Sequence, residues 1–160
     1  MKQTSTLFLQ GAIVILAIAA IAILIRIPQT EGRAENLDLF HIYADPFILY
    51  GYASSITFFV ALFKAFQLLG YIRKDEAFTA QSVAAVKTIK KCAVVLGILI
   101  VLAGIYIRIF HHEDDDPAGF LALSMATTFA SFVVAAAAFI VEEILRNGAA
   151  IKAENEELKK

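Results

Sequence analysis

The sequence predicts an all-α membrane protein with four transmembrane helices. Its 160 residues are 59% hydrophobic and have a mean hydropathy of +0.72, well above the average soluble domain. Four apolar stretches are close to, or longer than, the roughly 20 residues that a helix needs to cross the hydrocarbon core. Helices are expected because every backbone N–H and C=O in lipid must be satisfied within its own segment.

Each predicted span lies between charged residues. The spans are expected at residues 7–27, 46–72, 92–110 and 117–145. No charge lies between Lys2 and Arg26, and this apolar run is too long for a cleaved signal peptide, so we expect the first helix to be retained. The second span contains one charge, Lys64, and the third carries Arg108 near its end. Residues 146–160 form a polar tail.

Lysine and arginine predict the orientation of the chain. Ten basic residues lie in the N-terminus, the 73–91 segment and the tail, whereas the other side of the membrane has three basic and eight acidic residues, in the two other loops and the adjoining span ends. By the positive-inside rule, both termini and the 73–91 segment are cytoplasmic. The four spans then form two in–out–in hairpins.

An internal repeat is also indicated. Moving the chain by 73 residues aligns the second span with the fourth and gives nine identities over positions 47–81, including Phe47 with Phe120 and Arg73 with Arg146. Such a parallel repeat would relate the two hairpins by an axis along the membrane normal.

Residues 76–91 predict a short cytoplasmic amphipathic segment. Thr79 is a suitable N-cap, and Val83, Val86 and Ile89 follow at helical spacing. A helix of this kind is expected to lie on anionic lipid. The basic side chains of the candidate surface for lipid or a protein partner are Arg73, Lys74, Lys87, Lys90 and Lys91.

Two stretches of the chain resemble a known family. Residues 73–79 (RKDEAFT), followed by 86–91 (VKTIKK), resemble the signature after the second helix of the domain of unknown function 2975, also called YoaS-like. Residues 143–151 (EILRNGAAI) resemble its closing motif, whereas residues 156–160 (EELKK) depart from its Asp-Leu-Thr-like ending.

The resemblance implies a four-helix protein of the bacterial plasma membrane. No activity is established for the family. Its members are often encoded beside small helix-turn-helix regulators, so the resemblance suggests a cytoplasmic regulator of that kind as a partner.

Lys64 is the one charge well inside a span, and a lysine at mid-helix costs about 2.5–3.5 kcal/mol on insertion scales. It lies about two turns from the cytoplasmic end of its span, where its stem can snorkel to the headgroups. Glu142 and Glu143 are expected near the same side, so an intramembrane ion pair is the second interpretation. A site for a transported ion is the third.

The outer loops offer a candidate divalent-metal site. His111, His112 and Asp115 lie in one outer loop and His41 in the other, and imidazole and carboxylate groups together suit zinc. The spacing is poor for a single ion, so a solvated acidic loop is the favoured interpretation.

Hydroxyl-bearing residues form a further pattern in the outer half of the membrane. Ser54, Ser55, Thr127 and Thr128 fall at equivalent depths in the repeat. They are expected to bond to backbone carbonyls or across helices, with a shallow polar cavity as the alternative.

No catalytic or cofactor-binding residue is identified, and no basic domain for direct nucleic-acid binding. The sequence therefore favours a non-enzymatic regulatory or interaction accessory that acts through its cytoplasmic face. The alternative is a homo-oligomeric transporter or channel for a small solute or ion, because one chain supplies few polar residues for a pathway. Beyond lipid, the expected partners are a second copy of the chain or the regulator.

Overall fold

The computed structural model describes residues 3–30, 43, 45–110 and 117–158 of the chain. They form four helices: α1, Gln3–Thr30; α2, Pro46–Arg73; α3, Ala80–Phe110; and α4, Ala118–Glu157. All four are long and apolar enough to cross a membrane. The prediction of an all-helical protein with four spans is confirmed at this level.

Two helices extend well beyond the predicted spans. The structure places residues 80–91, expected as a separate surface helix, in the first three turns of α3, and it continues α4 through most of the predicted tail. With 31 and 40 residues, α3 and α4 are about 46 and 60 Å long at 1.5 Å per residue. Each therefore exceeds a hydrocarbon core of about 30 Å.

The start of α2 follows from its sequence. The Asp45 carboxylate accepts hydrogen bonds from the backbone N–H groups of Phe47 and Ile48, at 2.8 and 3.3 Å. Pro46 occupies the first turn, where its missing N–H leaves no donor unpaired. Asp45 thus satisfies two of the free donors of the helix.

Neighbouring helices run in opposite directions. Near the start of α1, the Gln10 amide donates to the carbonyl of Phe66 near the end of α2, at 3.3 Å. At the opposite end of the same pair, the Tyr52 hydroxyl donates to the carbonyl of Leu24, at 2.9 Å. The ring of Phe132 in α4 lies over Gly97 in α3, and the largest helix–helix contact joins these two helices.

Most buried residues lie at one end of the bundle. We call the part formed by residues 4–12, 64–92 and 134–158 the termini end, and the part formed by residues 18–26, 43, 45–58, 99–110 and 117–128 the far end. Val86, Ala138 and Leu145 form the buried cluster of the termini end, with Val83 and Ile89 packed against it. The apolar side of residues 80–91 therefore contacts protein, which differs from the expected contact with lipid.

Large apolar side chains remain exposed along the helices. Phe8, Met125 and Phe129 are each more than 70% exposed. Exposed apolar surface on this scale is unusual for a soluble monomer but suits helices surrounded by hydrocarbon.

Candidate functional site

The loop between α2 and α3, residues 74–79, has a defined backbone. Asp75 adopts a left-handed conformation with φ of 59°. The Glu76 N–H donates to the carbonyl of Tyr71 at 2.9 Å, and the Asp75 N–H donates to that of Ile72 at 3.2 Å. These two bonds are those of a Schellman motif, which ends α2 and satisfies its last carbonyls.

Side chains fix the second half of the loop. The hydroxyls of Thr79 and Ser82 both donate to the carbonyl of Glu76, at 2.9 Å each. The Thr79 hydroxyl also accepts from the Ser82 N–H at 3.4 Å, so the predicted N-cap at Thr79 is confirmed. Ser82 is fully buried, and the loop is therefore held by α3 itself.

The loop also contacts α4. The aromatic ring of Phe78 lies against Gly148, so closely that a Cβ atom added to this glycine would overlap the ring. Phe78 belongs to the first stretch that resembles the family signature and Gly148 to the second. No sequence pattern predicted this contact, because the two residues are 70 positions apart.

An ion pair joins α3 and α4 beside the buried cluster. The Lys90 ammonium lies 2.6 Å from the Glu142 carboxylate, with side-chain exposures of 27% and 12%. The same ammonium lies 5.2 Å from the centre of the Phe139 ring, within the range of a cation–π contact. Lys90 therefore links α3 to α4 at the termini end, whereas the other lysines of the predicted surface, Lys74, Lys87 and Lys91, are exposed.

The structure gives Lys64 a different partner from the two predicted. Its ammonium donates to the Gln67 side-chain oxygen at 3.0 Å and lies 5.8 Å from the centre of the Phe63 ring. Glu142 pairs with Lys90, while Glu143 pairs with Arg146 on its own helix at 2.6 Å. Both glutamates thus form ion pairs with residues other than Lys64.

The four other predicted surface residues are exposed at the termini end, and we call them the basic face: Arg73, Lys74, Lys87 and Lys91. Arg73 ends α2 and Lys74 begins the loop, whereas Lys87 and Lys91 lie four residues apart on one side of α3. A cluster of ammonium and guanidinium groups of this kind attracts acidic protein surfaces or anionic lipid headgroups.

Four residues of the candidate metal site, His41, His111, His112 and Asp115, lie outside the described part of the chain. Within the described ranges, no group of three or more His, Cys, Asp and Glu side chains could hold a metal ion.

A second candidate region is a cavity of about 410 Å³ at the far end, lined by residues of all four helices. Ser54, Ser55 and Thr127 line it, whereas Thr128 faces a different groove, between α3 and α4. The hydroxyls of Ser55 and Thr127 donate to carbonyls of their own helices, at 2.7 and 2.6 Å. The expected bonds to backbone carbonyls are confirmed for Ser55 and Thr127, whereas the cavity is mostly apolar and not the polar cavity of the alternative.

Comparison with known proteins adds one family and one relative. The family model described as "Protein of unknown function (DUF2975)" matches residues 29–158. The chain is 36% identical over 159 residues to the "Uncharacterized membrane protein YoaS" of Bacillus subtilis (strain 168), covering 98% of each chain. No solved structure is significantly similar. The match supports a multi-pass membrane protein, and the chain belongs to the DUF2975 family of proteins of unknown function.

Proposed function

We propose that the protein is a non-catalytic regulatory or interaction accessory of the bacterial plasma membrane. In this proposal its four helices form two in–out–in hairpins, and the termini end, with both chain termini, faces the cytoplasm. The distribution of lysine and arginine supports this orientation, since most basic residues lie at that end.

The well-defined loop between α2 and α3 at the termini end supports the proposal most strongly. The loop that carries part of the basic face is held by three contacts: the Schellman motif at Asp75, the hydroxyl bonds to Glu76 and the packing of Phe78 on Gly148. A preorganised surface loses little conformational entropy when a partner binds. A membrane segment with no binding role has no evident need for such a loop.

The chemistry of the basic face indicates an acidic protein surface as the partner. Complementary charge raises the rate of association and fixes the orientation of the partners. In this proposal the candidate partner is a small helix-turn-helix regulator. The regulator binds nucleic acid, and the membrane protein does not bind it directly. The exposed part of α4 carries Glu154, Glu156 and Glu157, so the surface presents both signs of charge and favours one docking orientation.

Affinity purification from native membranes under mild crosslinking tests the proposal. The key variant is Lys87→Gln/Lys91→Gln, which removes two exposed charges and leaves the Lys90–Glu142 pair intact. The matched control is Arg26→Gln, because Arg26 is an exposed basic residue at the far end. A stoichiometric soluble partner that is lost with the first variant and kept with the control supports the proposal. Recovery of the protein alone, or only with copies of itself, contradicts it.

Cysteine labelling tests the orientation separately. In a Cys92→Ala background, a membrane-impermeant reagent added outside the cell should modify Asp115→Cys but not Lys91→Cys. The reverse pattern would place the basic face outside the cell and remove the basis for a cytoplasmic partner.

The far-end cavity favours one alternative, a homo-oligomeric transporter or channel for a small solute or ion. Ser54, Ser55 and Thr127 give it a few polar groups, and several copies together would supply a longer pathway. Flux through purified protein in liposomes distinguishes the two functions, because an accessory that acts by binding conducts no solute.

A further inference from the structure

The far-end cavity has the walls of a site for an apolar molecule. Its volume of about 410 Å³ falls within the range of about 300–1,000 Å³ found for ligand pockets. Aromatic rings from two helices line it: Phe47, Tyr50 and Phe58 from α2, and Phe120 from α4. The Phe47 and Phe120 rings meet edge to face with centres 5.7 Å apart, and this contact supports the wall on the side of α2 and α4.

The packing of the helices leaves one side of the cavity open. Ile23 and Leu24 of α1 and Leu123 of α4 line it. Among the described residues, α1 packs substantially only on α2, and α4 only on α3. No extensive contact between α1 and α4 therefore closes the cavity toward the surrounding hydrocarbon.

The polar groups of the cavity are few and mostly satisfied. Ser55 and Thr127 donate to their own helices, and the Tyr50 hydroxyl donates to the carbonyl of Leu99 at 2.7 Å. The Ser54 hydroxyl oxygen is buried and has no hydrogen-bond partner among the described residues. It lies eight residues after Pro46, about 12 Å along α2 from its first turn. Ser124 also lines the cavity, and apart from these five hydroxyl-bearing residues its lining is apolar.

We propose that the far-end cavity binds the hydrocarbon chain of a membrane lipid, which enters laterally between α1 and α4. An apolar chain needs no hydrogen bonds from the walls and contacts their aromatic and aliphatic surface. The lateral opening connects the cavity to a region that already holds such chains at high concentration. This site is independent of the basic face, which lies at the opposite end of the bundle.

Gly51 offers a way to fill the cavity without disturbing its walls. It lines the cavity, and a Cβ atom added to it meets no neighbouring atom within 4 Å. Gly51→Leu should therefore place a side chain in the space of the lipid chain. Gly11→Leu is the matched control, since Gly11 has equally open surroundings but lies on α1 near the termini end.

Photocrosslinking measures whether a chain enters. The protein is reconstituted in vesicles of phosphatidylglycerol and phosphatidylethanolamine that carry a diazirine group on one acyl chain. Mass spectrometry after irradiation should find labels on cavity residues such as Leu99, as well as on the lipid-facing Phe129. In Gly51→Leu the labelling of Leu99 should fall several-fold while that of Phe129 is unchanged, and Gly11→Leu should label like the unaltered protein. Unlabelled cavity residues, or equal labelling of Leu99 in Gly51→Leu, would overturn the proposal.

Tryptophan fluorescence gives a second readout, because the chain contains no tryptophan. Phe58→Trp places a reporter in the cavity wall. Phe129→Trp is an exposed control at similar depth, since both residues lie eleven or twelve positions from the far-end start of their helices. Bilayers with brominated acyl chains should quench both reporters. Adding Gly51→Leu should relieve the quenching of Phe58→Trp alone. Emission from Phe58→Trp that is typical of a water-filled site and unaffected by bromine would overturn the proposal.

Discussion

The two ends of the bundle differ in how closely their helices pack. At the termini end, α1 holds the buried residues Thr6 and Gln10 and contacts α2 through Gln10, and α3 contacts α4 around Val86 and Leu145. At the far end, Gly104 is the only buried residue among those described, and the cavity separates the helices. This difference is the basis of the two proposals, a partner-binding surface at the packed end and a lipid chain in the cavity of the other.

The largest effect is expected from breaking the Lys90–Glu142 pair. Lys90→Met leaves the nearly buried Glu142 carboxylate without its partner, which should lower the free energy of unfolding in detergent by about 1–3 kcal/mol. Chemical denaturation of the purified protein measures this change.

The exposed pair on α4 provides the control for that prediction. Arg146→Met breaks the Arg146–Glu143 pair, whose members are 61% and 45% exposed, and should cost less than about 1 kcal/mol. The double variant Lys90→Met/Glu142→Met should recover part of the loss because no unpaired charge remains. Equal losses for Lys90→Met and Arg146→Met would show that the pair between the helices does not stabilise the termini end.

A smaller effect is expected at the contact between the loop and α4. Gly148→Ala adds a Cβ atom that overlaps the Phe78 ring, so the ring must move. Because Phe78 is partly exposed and can rotate away, we expect a loss of about 1–2 kcal/mol. Phe78→Ala removes the ring that the new Cβ atom would overlap. The double variant Phe78→Ala/Gly148→Ala should therefore have nearly the same free energy of unfolding as Phe78→Ala alone. An unchanged stability in Gly148→Ala would contradict the packed loop.

The backbone of the loop gives a third comparison. Asp75→Val places a β-branched residue at a positive φ and should cost about 1–2 kcal/mol, whereas Asp75→Gly should be tolerated or slightly stabilising. Lys74→Val is the neighbouring control, since Lys74 has an ordinary φ of −89°. Thermal unfolding followed by circular dichroism can rank the three variants. Equal effects of valine at both positions would argue against the Schellman motif.

The smallest effect is expected at the far end. Gly51→Ala adds a methyl group where no atom lies within 4 Å, so the change in unfolding free energy should stay below about 1 kcal/mol and favour the helix. A loss as large as that of Gly148→Ala would mean that the far end is packed as closely as the termini end.

Sequence patterns predicted local features better than contacts between helices. The length of the apolar stretches predicted four helices, and Thr79 was identified as an N-cap, because both depend on neighbouring residues. The ion pair suggested between Lys64 and Glu142 is wrong: Glu142 pairs with Lys90, because sequence alone does not choose between several lysines near the same end of the bundle. The cavity was indicated only by its hydroxyl groups, and its aromatic walls resemble ordinary lipid-facing residues in the sequence.

The length of α3 shows a second limit of sequence patterns. The change from a basic to an apolar segment at Cys92 suggested a boundary between a surface helix and a span. A change in polarity alone does not end a helix, however, and no proline or glycine lies between Ala80 and Leu96. The helix therefore runs through the boundary, and its polar first turns pack on α4.

Distances between spin labels test the difference between the two ends most directly. In a Cys92→Ala background, one pair of labels is placed at Ile23 and Leu123, across the opening between α1 and α4. The other is placed at Lys87 and Arg146, on the packed α3–α4 pair. In bilayer nanodiscs we expect a narrow distance distribution for the labels at Lys87 and Arg146 and a broader one for those at Ile23 and Leu123. The mean distance between Ile23 and Leu123 should also exceed the value expected for packed helices, whose axes lie about 8–10 Å apart. A narrow, short distribution at Ile23 and Leu123 would show a closed far end and contradict the account.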